Sequence, residues 1–171
     1  MRPFGQPRPG SPAPPGPGQE SVWDYPRPPR LEAEPRRIRV VLAGVVVADT
    51  TAAYRVLETS HPPTYYLPPA DIASGALEEA TGSSFCEWKG LARYWNVRAG
   101  DALAPAAAWS YPDPTPGFMD LVDHVAFYAP AMELCEVGGE AATPQPGGFY
   151  GGWVTSWVVG PFKGDPGTMG W

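Results

Sequence analysis

Charge is scarce in this chain, and lysine is its scarcest form. Only 18% of the 171 residues are charged, and lysine occurs twice, at Lys89 and Lys163, against ten arginines. The formal net charge is −6. Binding a phosphate backbone requires a basic face, so a nucleic-acid partner is not expected. The same balance argues against an anionic membrane surface. No run of about 18 apolar residues occurs, so no membrane-spanning helix is expected. The N-terminus has no apolar stretch of the export-signal type, which gives a cytoplasmic location as the expectation. Cysteine is limited to Cys86 and Cys135, too few for a disulfide framework, and both are expected as free thiols.

Histidine is equally sparse, at His61 and His124. With the cysteines these make a two-plus-two set of the kind zinc binds in a tetrahedron. No pair among them has Cys-x-x-Cys or His-x-x-x-His spacing, so nothing local preforms half a site. No cofactor is expected. Asparagine occurs once, as Asn96, and isoleucine twice. With plentiful alanine, proline and glycine, this matches a GC-rich coding bias, which also explains arginine in place of lysine.

Glycine (20) and proline (24) are abundant. They predict short strands joined by defined turns rather than long helices. Residues 1–19 are rich in proline and glycine with little to bury, and read as a disordered tail. Residues 20–35 bring Val22, Trp23 and Tyr25 among prolines and read as an extended arm. Residues 36–137 read as one β domain. Residues 138–171 read as a glycine- and aromatic-rich extension packed on it, because exposed rings at that density favour aggregation.

Within the domain, Arg37–Leu42 and Val45–Ala48 flank Ala43-Gly44 as a hairpin. Ser84–Lys89, Arg93–Arg98 and Leu103–Trp109 read as strands separated by Gly90 and Gly100. Pro105 marks the third as an edge or a bulge. Val125–Tyr128 and Glu133–Val137 read as the last strand pair. Thr115 followed by Pro116 predicts one short helix, near residues 116–123, with Thr115 as its cap. The fold class is all-β or β-dominant, with antiparallel sheets.

Several words of the chain belong together. They are Leu57-Glu58-Thr59-Ser60-His61-Pro62-Pro63, Tyr65-Tyr66-Leu67-Pro68, Phe85-Cys86-Glu87-Trp88-Lys89-Gly90, Ala92-Arg93-Tyr94-Trp95 and Ala108-Trp109-Ser110-Tyr111-Pro112-Asp113-Pro114. Over about Arg36–Glu136 the chain resembles the bacterial and fungal domain-of-unknown-function family 427, also labelled nucleotidyltransferase-like. Glu87 stands where the family more often has proline. The resemblance implies a compact β domain related to the β-tent folds. Some of those relatives bind zinc, and one holds uridine-like ligands in an aromatic cage.

The transferase label meets a chemical objection. Nucleotidyl transfer gathers two or three carboxylates on magnesium. Gly82-Ser83 is followed by no Asp-x-Asp pair, and Asp120 and Asp123 read as a solvated face. Gly147–Gly152 lacks the Lys-Ser/Thr of a phosphate loop.

The lysines are more informative. Each follows an aromatic and precedes a glycine, in Trp88-Lys89-Gly90 and Phe162-Lys163-Gly164. A retained lysine offers a compact charge for phosphate or carboxylate; the plainer alternative is a hairpin end with its stem over a ring. Trp109 and Tyr111, set among prolines, suit a slot for a flat ligand and equally a structural corner.

Three functions follow. The first is a module binding a small anionic or nucleotide-like ligand in an aromatic pocket, through Lys89, Tyr94, Trp109, Tyr111 and Lys163. The second is a hydrolase or transferase using His61, on the stiff loop before Pro62-Pro63, or Cys86 as nucleophile. The third is an interaction or homo-oligomerising module. Strand alternation places Ser84, Cys86 and Trp88 on one face and Phe85, Glu87 and Lys89 on the other.

Overall fold

The computed structural model describes residues 14–171. The tail over 1–13 lies outside the described residues. Within the rest of that tail, Gln19 is anchored: its backbone N–H donates to Gly16 O and its side-chain amide donates to Ser156 O.

Ten strands of three residues or more build the described residues. They are β1 (Arg30–Glu34), β2 (Ile38–Leu42), β3 (Val45–Thr50), β4 (Ala53–Leu57), β5 (Thr64–Tyr66), β6 (Leu77–Cys86), β7 (Gly90–Ala99), β8 (Ala102–Ser110), β9 (Val125–Phe127) and β10 (Leu134–Val137). They form three antiparallel sheets ordered β1-β4-β5, β10-β2-β3 and β9-β8-β7-β6. Among the described residues strand dominates and no long helix is present, as expected from composition. Among the described residues no helix is long and apolar enough to cross a membrane.

The expected hairpin is β2–β3, with Ala43 and Gly44 both at positive φ, the twist that suits a two-residue connection. Pro105 sits at an irregularity. Trp95 pairs with Ala108 but Val97 with Ala104, and Asn96 Oδ1 accepts from the free Ala106 N–H at 2.8 Å. A proline cannot donate to the ladder, so the strand bulges there.

Three expectations are corrected. Val125–Phe127 and Leu134–Val137 do not pair with each other: β9 pairs with β8, and β10 with β2. Two-residue periodicity locates strands but does not choose their partners. The segment after Thr115 forms 3₁₀ turns over Pro116–Leu121, broken at Phe118, and Thr115 makes no side-chain cap. Its hydroxyl donates instead to Trp88 O at 2.5 Å. The strand expected to run to Lys89 ends at Cys86, and residues 87–89 form a turn. Alternation does not survive a turn, so Lys89 and Cys86 are not on opposite faces.

The main core lies between the β10-β2-β3 and β9-β8-β7-β6 sheets. It buries Ile38, Val40, Val47, Val97, Phe127 and Trp153. Trp153, from the C-terminal segment, is fully buried against Tyr65 and donates its indole N–H to Phe127 O at 3.1 Å. A second cluster holds Val56, Tyr66, Ala92, Tyr111, Phe118 and Leu121. In a third, Val22, Trp23 and Tyr25 meet Leu57 and Val158, which closes residues 20–25 onto the C-terminal segment.

A charged node ties these parts together. Arg55, 6% exposed, is paired with Glu20, Glu32 and Glu34. Arg36 also bonds Glu34, at 3.1 Å, and lies 4.2 Å over the Trp157 ring. A buried carboxylate such as Glu34 persists only where such partners replace its lost water.

Replacing Trp153 empties space in the main core and removes the indole donor to Phe127 O. Trp153→Ala is expected to cost about 3–5 kcal/mol in urea unfolding. A loss within measurement error would show that the C-terminal segment is not part of the core.

Candidate functional site

A cleft of about 570 Å³ opens where the β1-β4-β5 sheet, the four-stranded sheet and the C-terminal segment meet. One wall comes from β4, β5 and the loop between them, with Glu58, His61 and Tyr66. The four-stranded sheet and its turns supply Ser84, Lys89, Tyr94, Trp109 and Tyr111. The C-terminal segment supplies Gln145, Phe149, Tyr150, Gly151 and Lys163. Six of the seven candidates from the sequence therefore share one cavity: His61, Lys89, Tyr94, Trp109, Tyr111 and Lys163. Cys86 does not line it. It is half-buried against the second core cluster, beside Lys89.

The His61 loop is built by its backbone. His61 N–H donates to Glu58 O at 3.0 Å, and Ser60, fully buried at φ 71°, exchanges bonds with two other segments. Its N–H donates to Val22 O at 3.0 Å and its carbonyl accepts from Lys163 N–H at 2.8 Å. A non-glycine residue holds positive φ only where its surroundings fix it.

Gln145 is the hub. It is 3% exposed, and its side-chain amide meets three partners. Nε2 donates to Lys163 O at 2.8 Å, and Oε1 accepts from Gly152 N–H at 3.1 Å. These two bonds fix the amide's orientation, because a carbonyl only accepts and an N–H only donates. The same Nε2 lies 3.0 Å from His61 Nδ1, so Nδ1 is the acceptor and the ring proton sits on Nε2. Nε2 faces Glu58 Oε2 at 3.6 Å. Burial, with Lys163, Arg27 and Lys89 adding to it against the opposing Glu58, lowers the His61 pKa to about 4. At neutral pH the ring is uncharged and its one lone pair is engaged.

Glycines admit this packing. A Cβ on Gly151 would stand 2.2 Å from Trp109 Cη2, and one on Gly152 would stand 2.6 Å from Pro62 O. Only bare backbone lets the C-terminal segment close over Trp109 and the His61 loop.

The lysines differ from every other cation described. Arg27, Arg30, Arg36, Arg37, Arg39, Arg55, Arg93 and Arg98 each pair with a carboxylate. Among the described residues neither lysine has such a partner. Lys89 Nζ lies 5.7 Å from the Tyr111 ring centre and Lys163 Nζ 5.5 Å from that of Tyr150. Burial pushes the Lys89 ammonium down, but Tyr66, Cys86 and the Glu58 carboxylate together outweigh it and leave the pKa above its ordinary value. Burial, with Tyr66 and Cys86 beside it, pushes the Tyr111 phenol well up, so it stays protonated. Tyr94 OH donates to Ser84 Oγ at 2.7 Å.

Among the described residues no three of His, Cys, Asp and Glu gather as metal ligands. Cys135 lies in the main core, and His124 packs on Tyr54 with its Nδ1 at Val122 O. Neither histidine hydrogen-bonds Cys86 among the described residues.

The family model matches residues 30–138, beginning with β1. The chain belongs to the family described as Domain of unknown function (DUF427). The match covers the sheet residues of the cleft and stops before Gln145, Tyr150 and Lys163. The DUF427 domain thus provides one lysine and the segment beyond it provides the other. Among curated proteins, none matches the chain.

Sequence reasoning did not single out Gln145, Glu58, Tyr66 or Tyr150 as binding residues. Gln145 stands in Pro144-Gln145-Pro146, a lone polar residue in a stiff frame, and that was the available signal.

Two outcomes follow. Gln145→Leu leaves Lys163 O, Gly152 N–H and His61 Nδ1 without partners and is expected to cost about 2–4 kcal/mol by denaturant midpoint; an unchanged midpoint would remove Gln145 as the hub. His61 takes up its proton near pH 4 when folded but near 6.5 ordinarily. Between those values the unfolded chain binds the extra proton, so stability falls as pH drops through that window. The loss reaches up to about 3 kcal/mol. His61→Gln is expected to flatten that part of the profile, and an unaltered profile would contradict the buried neutral ring.

Proposed function

We propose that this protein binds a small anionic, ring-bearing ligand of nucleotide-like character in the aromatic cleft. The carrying observation is the contrast among its cations: every described arginine is matched by a carboxylate, whereas Lys89 and Lys163 line one cleft without one. In a chain of net charge −6, two half-buried ammonium groups that no carboxylate pairs, in a cleft whose one described carboxylate, Glu58, is held by Arg27, favour an incoming anion. Trp109, Tyr111 and Tyr150 supply flat apolar area, and Ser84 and Gln145 supply polar edges, the composition of a ligand pocket. The two free thiols suit a reducing, cytoplasmic setting.

The enzyme reading has less support. His61 as a general base needs a free lone pair, and Gln145 occupies it. Cys86 as nucleophile needs a base, and neither histidine bonds it.

Thermal shift against inorganic phosphate, phenyl phosphate and nucleoside monophosphates tests the proposal. At about 100 times Kd, a binding anion is expected to raise Tm by about 5 °C or more. Lys89→Ala is expected to abolish the shift. No shift with any anion, or an equal shift in Lys89→Ala, would overturn the reading.

A further inference from the structure

The two lysines reach the cleft by different routes. Lys89 belongs to the DUF427 domain, in the turn between β6 and β7, with Tyr66, Tyr111 and the Cys86 thiol around it. Lys163 belongs to the segment beyond the family match. Its backbone is held at both ends: the N–H donates to Ser60 O and the carbonyl accepts from Gln145 Nε2, each at 2.8 Å. Its ammonium, by contrast, pairs with no carboxylate among the described residues and lies 5.5 Å from the Tyr150 ring centre. A rigid backbone thus delivers an unmatched charge into the cavity.

Glu58, the one described carboxylate lining the cleft, attracts Lys89 but is itself ion-paired with Arg27 at 3.1 Å and faces the His61 ring. Tyr66, Tyr94 and Tyr111 are phenols. The cleft therefore presents two positive charges, one from each part of the chain. Beside Lys163 stand two rings, Tyr150 and Phe149, edge to face at 4.9 Å, with Tyr150 also edge-on to His61 at 4.9 Å. Across from them lies Trp109, seated on the backbone of Gly151.

We infer that the ligand is a dianion joined to a flat ring, and that Lys163 is the specificity-determining residue that selects two negative charges over one. The inference rests on the anion-binding reading above. The DUF427 domain alone offers one ammonium, enough for a monoanion. The C-terminal segment adds the second ammonium and the Tyr150 ring together, so one addition sets both charge and cover. A phosphate monoester carries close to two charges at neutral pH, which makes it the fitting class.

Calorimetric titration of the full chain at pH 7.5 with two probes tests this: phenyl phosphate, a dianion, and methyl phenyl phosphate, its monoanionic counterpart. The wild type is expected to prefer phenyl phosphate by about tenfold or more, the worth of one charged contact. Lys163→Gln is expected to reduce that preference to about twofold or less, and Lys163→Arg to restore it, since arginine keeps the charge. Because the backbone of residue 163 makes the structural bonds, the substitutions leave the fold in place. Binding of both probes with the same preference in wild type and Lys163→Gln would overturn this inference and leave the anion reading standing. Binding of neither probe to the wild type would overturn both.

Discussion

The cleft depends on one buried amide. Gln145 bonds the carbonyl of Lys163, the N–H of Gly152 and the Nδ1 of His61. Those partners belong to three separate stretches, which are also stitched together by single backbone bonds, Lys163 N–H to Ser60 O and Trp153 N–H to Pro63 O. A buried amide is stable only with its donors and acceptors met, so satisfying Gln145 forces the three loops to one place. The consequence is chemical as well as structural. The bond to Nδ1 fixes the tautomer of His61, and burial of the ring keeps it neutral, so the positive charge of the cleft is left to the lysines.

Charge pairing elsewhere makes this exception visible. Arg55 and its three glutamates bind residues 20–34 to β4, and Arg36 and Trp157 extend the node to the C-terminal segment. Arg37–Asp49, Arg39–Glu136, Arg93–Glu79 and Arg98–Glu78 lie on sheet surfaces, where such pairs contribute little to stability. Their value here is comparative: each described arginine has a carboxylate beside it. At Lys89 and Lys163 the fold places aromatic rings instead. Rings attract a cation without neutralising it, so the charge remains available to a ligand.

Much of the fold was legible in the sequence, for identifiable reasons. The hairpin at Ala43-Gly44 and the bulge at Pro105 follow from residues with few backbone options. Strand partners were not legible, because β9 and β10 carry the same period and join different sheets. Lys89 and Lys163 were legible because lysine is rare here and both recur in one aromatic–Lys–Gly word. Gln145 was not, since a glutamine has no periodic signature and its role arises only when distant loops meet. The face assignment around Cys86 failed because the chain turns after Cys86, three residues before the expected end of the strand.

The central claim is that Lys89 and Lys163 serve a single ligand, and their scarcity makes it directly measurable. Reductive methylation with carbon-13 formaldehyde labels both lysines and keeps their charge. The labelled protein gives two lysine signals to follow by NMR during titration with phenyl phosphate. The account predicts that both move together along one saturation curve with one Kd. Signals that move with different Kd values, or that stay fixed while the ligand binds, would contradict it.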